Sequence, residues 1–244
     1  MKVTIALPTF NEELALPRLF QSFQRDLVGM DYQVLVVDDG SRDRTASVCR
    51  QYEDRLPVTL VSHPRNLGLA AAIRTCLREG SARSGDKDWV ITMDADDTHP
   101  PSLIRSMPLA RDFNLCVASR FVSGAKVHGV PRMREALSKV VSTLFCVAFP
   151  VPGITDYSSG YRAYRGDLLK AAIAHHGDSL IESTGFAVQV EILFKLRRLG
   201  LRSSEVPLEL HYERKPTPSA ARMGHTVVDL LKVIARDIRS RFVV

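Results

Sequence analysis

The sequence predicts an α/β fold, with a mostly parallel central sheet flanked by helices and a less regular C-terminal half. Two observations predict it. Short β-branched runs alternate with amphipathic helical patterns through the first half, and the runs are continuously apolar, as strands covered on both faces must be. Three polar clusters also fall where those strands end, and sheets of this kind gather ligands at the carboxyl ends of their strands.

Taken in order, the strand patterns are Val3–Leu7, Gln33–Val37, Val58–Val61, Trp89–Met93 and Leu115–Ala118. Between them lie helical patterns near Glu12–Leu27, Arg44–Tyr52 and Leu69–Ala82. Pro131–Phe149 reads as a helix, followed by a loop, "PVPGITDYSSGYRAYR". Helices are then expected at Asp167–His175 and Phe186–Leu199, strands near Ser203–Val206 and Glu209–Tyr212, and a last helix from His225 to about Arg241. No linker composition divides the chain, so 1–244 is read as one domain. Its parts are an alternating first half (1–123), a less regular second half (124–224) and a C-terminal amphipathic helix (225–244).

An apolar content of 45% is enough for a full core and argues against disorder. The net charge is +6, and arginine, whose planar fork suits phosphate oxygens, greatly outnumbers lysine. Cys49, Cys76, Cys116 and Cys146 are scattered, without metal-ligand spacing, as expected of reduced thiols in a cytoplasmic protein. The N-terminus enters a strand pattern at once, so no signal peptide is expected. The longest apolar stretch, Val140–Ile154, is too short and too proline-broken to span a bilayer.

The three clusters are "LPTFNE", "VVDDGS" and "MDADD". Singly, each could be a turn or a helix start, such as the turn Asp39–Gly40–Ser41 leading to Asp43. Together, at neighbouring strand ends, they converge on one crevice. Asp94 and Asp96 alternate at a strand end and can present oxygens to Mg²⁺ or Mn²⁺. Magnesium takes one or two carboxylates and completes its shell with water and phosphate oxygens, so the pair implies a diphosphate-bearing substrate. The same aspartates would repel a nucleic-acid backbone, so no nucleic acid is expected as a partner.

In order along the chain, "LPTFNE", "VVDDGS", "DADDTHPP", "ASRFVSG", "DYSSGYRAYR" and "STGFAVQVEILFK" resemble family 2 glycosyltransferases of the GT-A fold. They are most similar to the polyprenyl- and dolichyl-phosphate mannose synthase branch, from Val3 to about Met223. The resemblance implies that Pro8, Phe10, Glu12 and Asp39 bind the donor's nucleoside and that Asp94 and Asp96 hold the metal on its diphosphate. It places Arg120 on donor or acceptor phosphate and Ser159, Gly160 and Glu191 around the sugar pocket and its supporting helix, and makes 1–123 the nucleotide-sugar-binding half and 124–224 the acceptor-binding half. Arg214 and Arg222 fall in a late basic loop over the diphosphate, and Asp96, Arg120 and Arg214 carry the catalytic roles. The chain departs from the pattern at Thr98, where a glutamine is frequent, and at Ala221–Arg222–Met223, where Ser-Lys-hydrophobic is usual; Ala70 stands where glycine is common. His99 beside the metal motif is expected to be structural, and Tyr161, Tyr164 and Phe186 to pack in the core.

The reaction implied is inverting transfer of a hexosyl group, mannose foremost, from a nucleoside diphosphate to a polyprenyl or dolichyl phosphate. A phosphate acceptor is already largely ionised near neutrality, its second pKa being about 6, so it needs charge neutralisation more than a general base. Asp156 is the one carboxylate that could still serve as a base for an alcohol. The apolar stretch Val140–Phe149, preceded by Lys126, Arg132, Arg134 and Lys139, reads either as an interfacial surface for a lipid phosphate or as a core helix with a charged entry. A soluble or peripherally membrane-associated protein is expected. A soluble acceptor, or a sugar-nucleotide-binding protein without turnover, stays open at this point.

Overall fold

The computed structural model describes residues 1–185, 187–215 and 233–234. The expected helix at 225–241 and Arg222 lie outside the described residues, as does Phe186. The first half alternates strand and helix: β1 (Val3–Thr9), α1 (Leu16–Asp26), β2 (Tyr32–Asp38), α2 (Thr45–Tyr52), β3 (Val58–Ser62), α3 (Leu69–Ala82), β4 (Trp89–Thr92) and β5 (Leu115–Ser119). There follow β6 (Lys126–His128), α4 (Arg132–Ala148), β7 (Arg162–Arg165), α5 (Gly166–His176), α6 (Ala187–Leu196), β8 (Ser203–Pro207) and β9 (Glu209–His211).

Seven strands form the main sheet in the order β3-β2-β1-β4-β7-β5-β8. All run in one direction except β7, which lies antiparallel between β4 and β5. β6 and β9 pair separately as a small parallel ribbon. Alternate residues of the buried strands feed two cores. Ala6, Leu35, Val37 and Val90 pack under α3, α5 and α6, whereas Ile5, Leu7, Val36 and Ile91 pack under α1 and α2. That two-sided burial is why these strands read as unbroken apolar runs.

Two expectations are corrected. The segment "RAYR", Arg162–Arg165, is a strand and not the end of a loop. Arg162 broke its apolar pattern, yet Arg162 is fully buried, its guanidinium donating to the carbonyls of Gln189 (2.7 Å) and Tyr157 (2.9 Å). The first helix starts at Leu16 rather than Glu12. Asn11 turns the chain at φ 56°, residues 12–15 form a separate turn closed on the Glu12 carbonyl, and Pro17 then sits in the first helical turn.

Candidate active site

β1 lies between β2 and β4, so the ends of these three strands stand side by side and the three polar clusters share one crevice. The first two are knitted together. Asp39 N–H donates to the Thr9 carbonyl (2.8 Å), Asn11 N–H to Ser41 Oγ (2.8 Å), and Arg42 N–H to Asn11 Oδ1 (2.9 Å). Gly40, at φ 68°, lets the chain pass Arg65, where a Cβ would fall 2.3 Å from a backbone carbon. Among the described residues only Asn11 and Asp97 combine a side chain with positive φ, and both stand at this crevice. Such strain is retained where the surroundings over-determine it.

The Asp94–Asp97 turn is organised from within. Thr98 Oγ donates to Asp96 Oδ1 (2.7 Å), so Thr98 orients the carboxylate and is not itself turned outward as a ligand. His99 is structural as expected. Its Nδ1 accepts from Asp94 N–H (3.2 Å) and its ring stacks on Tyr161. Asp96 and Asp97 are buried, whereas half of the Asp94 side chain is open to the crevice.

A cation already stands among these acids. Lys215 Nζ donates to Asp96 Oδ2 at 2.6 Å, and its charge also acts on Asp94 and Glu12. Burial works to raise the Asp96 pKa, but the Lys215 ammonium beside it wins and holds it low. Asp94 has no such contact. The walls around it, and secondarily the charge of Asp96, push it up despite the opposing pull of His99. Glu12 is pushed up to about 7, by burial first and by Asp96 next, and its Oε2 is buried with no hydrogen-bond partner.

These residues fit a divalent cation. Two carboxylates alternate at a strand end, a third beside them has an oxygen with no partner among the described residues, and the acids already hold an ammonium. Among the described residues no three His, Cys, Asp or Glu side chains form a closed metal cage. An Mg²⁺-type site does not need one, because substrate oxygens complete its shell.

Glu12 makes a pH prediction for the metal-free protein. Its pKa is higher folded than unfolded, so the folded state holds its proton longer. The penalty is absent below the ordinary value of 4.5, grows as pH rises, and is complete above about 7. Glu12→Gln, neutral throughout, is therefore expected to raise Tm at pH 8 and to leave it unchanged at pH 4. Equal Tm values at pH 8 would refute the assignment.

Other expected site residues divide into two groups. Gly160 belongs to the crevice. A Cβ there would lie 3.3 Å from Gln189 Nε2 and 3.6 Å from Asp94 Oδ1. Arg214 is at the crevice rim; its charge acts on Asp97, and its carbonyl accepts from Arg18 Nη2 (3.2 Å). Pro8 is the penultimate residue of β1, and Phe10, just beyond the strand, is exposed.

The remaining four are engaged within the protein. Asp39 accepts from His63 Nδ1 (2.7 Å) and from Leu67 and Gly68 N–H, which leaves one lone pair of Oδ2 for a ligand. Glu191 accepts from Ser183 and Glu182 N–H and from Lys195 (2.7 Å), pinning the loop before α6. Ser159 is buried and gives its N–H to Asp156 (3.0 Å). Arg120 grips the fully buried Asp156 with Nε and Nη2, both at 2.8 Å, and reaches Ser158 Oγ at 2.6 Å. Burial would raise the Asp156 pKa, but Arg120 holds it below the usual range. With both oxygens engaged, Asp156 is not placed as a general base.

Sequence reasoning missed Lys215 and Gln189. Lys215 adjoins Arg214 in a run of basic residues, where nothing marks one cation from the next. Gln189 lies inside an apolar helix, and an isolated amide there was the available signal; it is buried and its Oε1 has no partner.

Residues 4–172 match the family described as Glycosyl transferase family 2. The dolichol-phosphate mannosyltransferase of Pyrococcus furiosus is 29% identical over 239 residues, which cover 97% of this chain and 63% of that protein. This chain thus spans somewhat less than two thirds of the archaeal relative. The undecaprenyl-phosphate mannosyltransferase of Micrococcus luteus is 36% identical over 210 residues, covering 85% of this chain and 83% of that protein. Among solved structures, glucosyl-3-phosphoglycerate synthase from Mycobacterium tuberculosis, in complex with phosphoglyceric acid, superposes with a TM-score of 0.69 at 21% identity, covering 97% of this chain and 79% of that one. A complex of the same enzyme with Mn²⁺, uridine diphosphate and glucosyl-3-phosphoglycerate gives 0.68 at 20% identity, with the same coverage of both chains. The sheet order, the strand-end crevice and the match across most of the chain agree: this chain belongs to glycosyl transferase family 2.

Proposed function

We propose that this chain is an inverting glycosyltransferase moving a hexosyl group, mannose foremost, from a nucleoside diphosphate to a polyprenyl phosphate. The observation that carries the donor half is the pair Asp94 and Asp96 at the end of β4, facing an orphaned Glu12 and a lysine ammonium. Bound Mg²⁺ or Mn²⁺ would supply charge for the departing diphosphate, held by Asp94 and Asp96. Arg214 at the rim adds positive charge, and Gly160 keeps space beside Asp94 for the sugar. Pro8, Phe10 and the free lone pair of Asp39 face the nucleoside. The relatives named for lipid-phosphate mannosyl transfer support mannose and the lipid acceptor.

The acceptor half supports a phosphate for a chemical reason. Asp156 is neutralised in place by Arg120, which removes the carboxylate that an alcohol acceptor would have needed. A phosphate brings its own charge and needs no base. Beside this pair, Ser138 of α4 meets Ser158 at 3.3 Å. α4 answers to both readings of its sequence: Ser142, Phe145 and the following Phe149 are buried, whereas Met133, Val140, Leu144 and Val147 form one face that is more than half exposed. Lys139, next to Val140 on the same helix, is exposed. An apolar stripe edged with lysine suits the surface of an anionic bilayer, where a lipid phosphate waits. No helix among the described residues is long and apolar enough to cross a membrane.

The test supplies GDP-mannose or UDP-glucose with Mn²⁺, and polyprenyl phosphate in vesicles containing anionic lipid. Glycosyl-lipid is the expected product, and the protein is expected to float with the vesicles. The fold neighbour was solved in complex with phosphoglyceric acid, so that soluble phosphate is the control. Transfer to it but not to lipid would overturn the lipid acceptor; nucleotide-sugar binding without transfer to either would overturn the enzyme.

A further inference from the structure

Lys215 is the feature of this crevice that the proposed reaction does not yet use. Its Nζ lies 2.6 Å from Asp96 Oδ2, with only 19% of its side chain exposed, and the carboxylates of Asp94 and Glu12 also act on it. The chain around it is fastened to the same turn at two further points, one direct and one bridged by Arg18. His211 N–H donates to the Thr98 carbonyl (2.9 Å), Arg18 donates to the Arg214 carbonyl, and Arg18 Nε stands 3.3 Å from Asp97 Oδ2. The ammonium is therefore held at the acid pair by the backbone and is not a surface side chain that happens to reach it.

We infer that Lys215 is a tethered counter-ion that occupies the cation's place at Asp96 in the metal-free protein and passes to the donor's diphosphate when metal and nucleotide enter. This rests on the metal reading above. The physical basis is exclusion. Asp96 Oδ1 is taken up by the Thr98 hydroxyl and N–H and Oδ2 gives one lone pair to Lys215, so a divalent ion on the remaining lone pair of Oδ2 must sit against the ammonium. Two cations within hydrogen-bond distance of one oxygen repel, so metal alone should bind weakly. A diphosphate changes the balance, because it offers the displaced ammonium new oxygens. Lysine suits the exchange: a compact charge on a flexible stem can turn from one anion to another, which a forked guanidinium does less readily. Metal and nucleotide would then bind cooperatively, each removing the obstacle to the other.

The experiment measures Mn²⁺ binding by electron paramagnetic resonance, and nucleotide binding by calorimetry, on the full chain and on Lys215→Met and Lys215→Arg. Circular dichroism confirms that each is folded. With Mn²⁺ alone, Lys215→Met is expected to bind on the order of tenfold more tightly than the wild type, a typical coupling. With Mn²⁺ present, its affinity for UDP or GDP should fall by a similar factor. Lys215→Arg, which keeps the charge, should retain the weak binding of metal alone. A lysine that served only to hold the loop would not shift the two affinities in opposite directions. Unchanged or weaker Mn²⁺ binding by Lys215→Met, where the wild type binds Mn²⁺ with nucleotide, overturns this inference and leaves the metal site standing. Absence of Mn²⁺ binding in all three proteins, with or without nucleotide, overturns both.

Discussion

Asp96→Ala is expected to lower the rate of glycosyl transfer on the order of 10²–10³-fold, about 3–4 kcal/mol of transition-state stabilisation, while the protein stays folded. The two effects part because Asp96 sits in a cluster that opposes itself. Its carboxylate stabilises Lys215 through a 2.6 Å ion pair, but it also raises the pKa values of its neighbours Glu12 and Asp94. Removing it loses the ion pair and the hydrogen bonds from Thr98 but relieves two repulsions, so the net change in stability should stay within about 2 kcal/mol, or about 4–8 °C in Tm for a chain of this size. A diphosphate leaving group has no such compensation. Retained turnover in a divalent-dependent assay would remove Asp96 from the chemistry; a Tm fall beyond about 10 °C would make its role structural.

The crevice was legible in the sequence because its parts are local. Asp94, Asp96, Asp39 and Glu12 each follow directly from an apolar run, and the end of a run can be read without knowing what lies beside it. Adjacency of the runs follows from parallel connection rules, so the convergence of the clusters could be expected. What could not be read depends on residues distant in sequence. Lys215 is 119 positions from Asp96, and it is brought there by the ribbon of β6 and β9, which His211 N–H ties to the Thr98 carbonyl. Arg120 and Asp156 are 36 positions apart, and no pattern shows that one exists to satisfy the other. β7 was hidden for the same reason. Its Arg162 looks like a surface residue until the carbonyls of Tyr157 and Gln189 are found waiting for it. Glu191 lies on the helix that the resemblance set beside the sugar pocket, and what its motif did not show is that its oxygens are held by Lys195 and the 182–183 backbone.

Arg120→Met carries the largest expected effect on stability and separates two roles for one side chain. Asp156 is fully buried, and Arg120 supplies two of its hydrogen bonds and its only ion pair among the described residues. Removing the guanidinium leaves a charge in the interior without its partner, at a cost of about 3–5 kcal/mol. At about 2–4 °C per kcal/mol this is a fall in Tm on the order of 10 °C. The sign with pH follows from the pair. In the wild type the Asp156 pKa is depressed, so its stabilisation is present above the ordinary value of 3.8 and is lost as pH falls through the lower folded value. In the variant burial prevails and the pKa rises, so the deficit is largest near neutrality and narrows toward pH 4. Adding Asp156→Asn removes the stranded charge, and the double variant should recover much of the lost Tm. Activity decides the rest. The Arg120 charge also acts on Asp94, so a double variant that regains stability but not transfer would assign Arg120 to the donor's charge as well as to Asp156. Recovery of both would confine it to holding the acceptor half together.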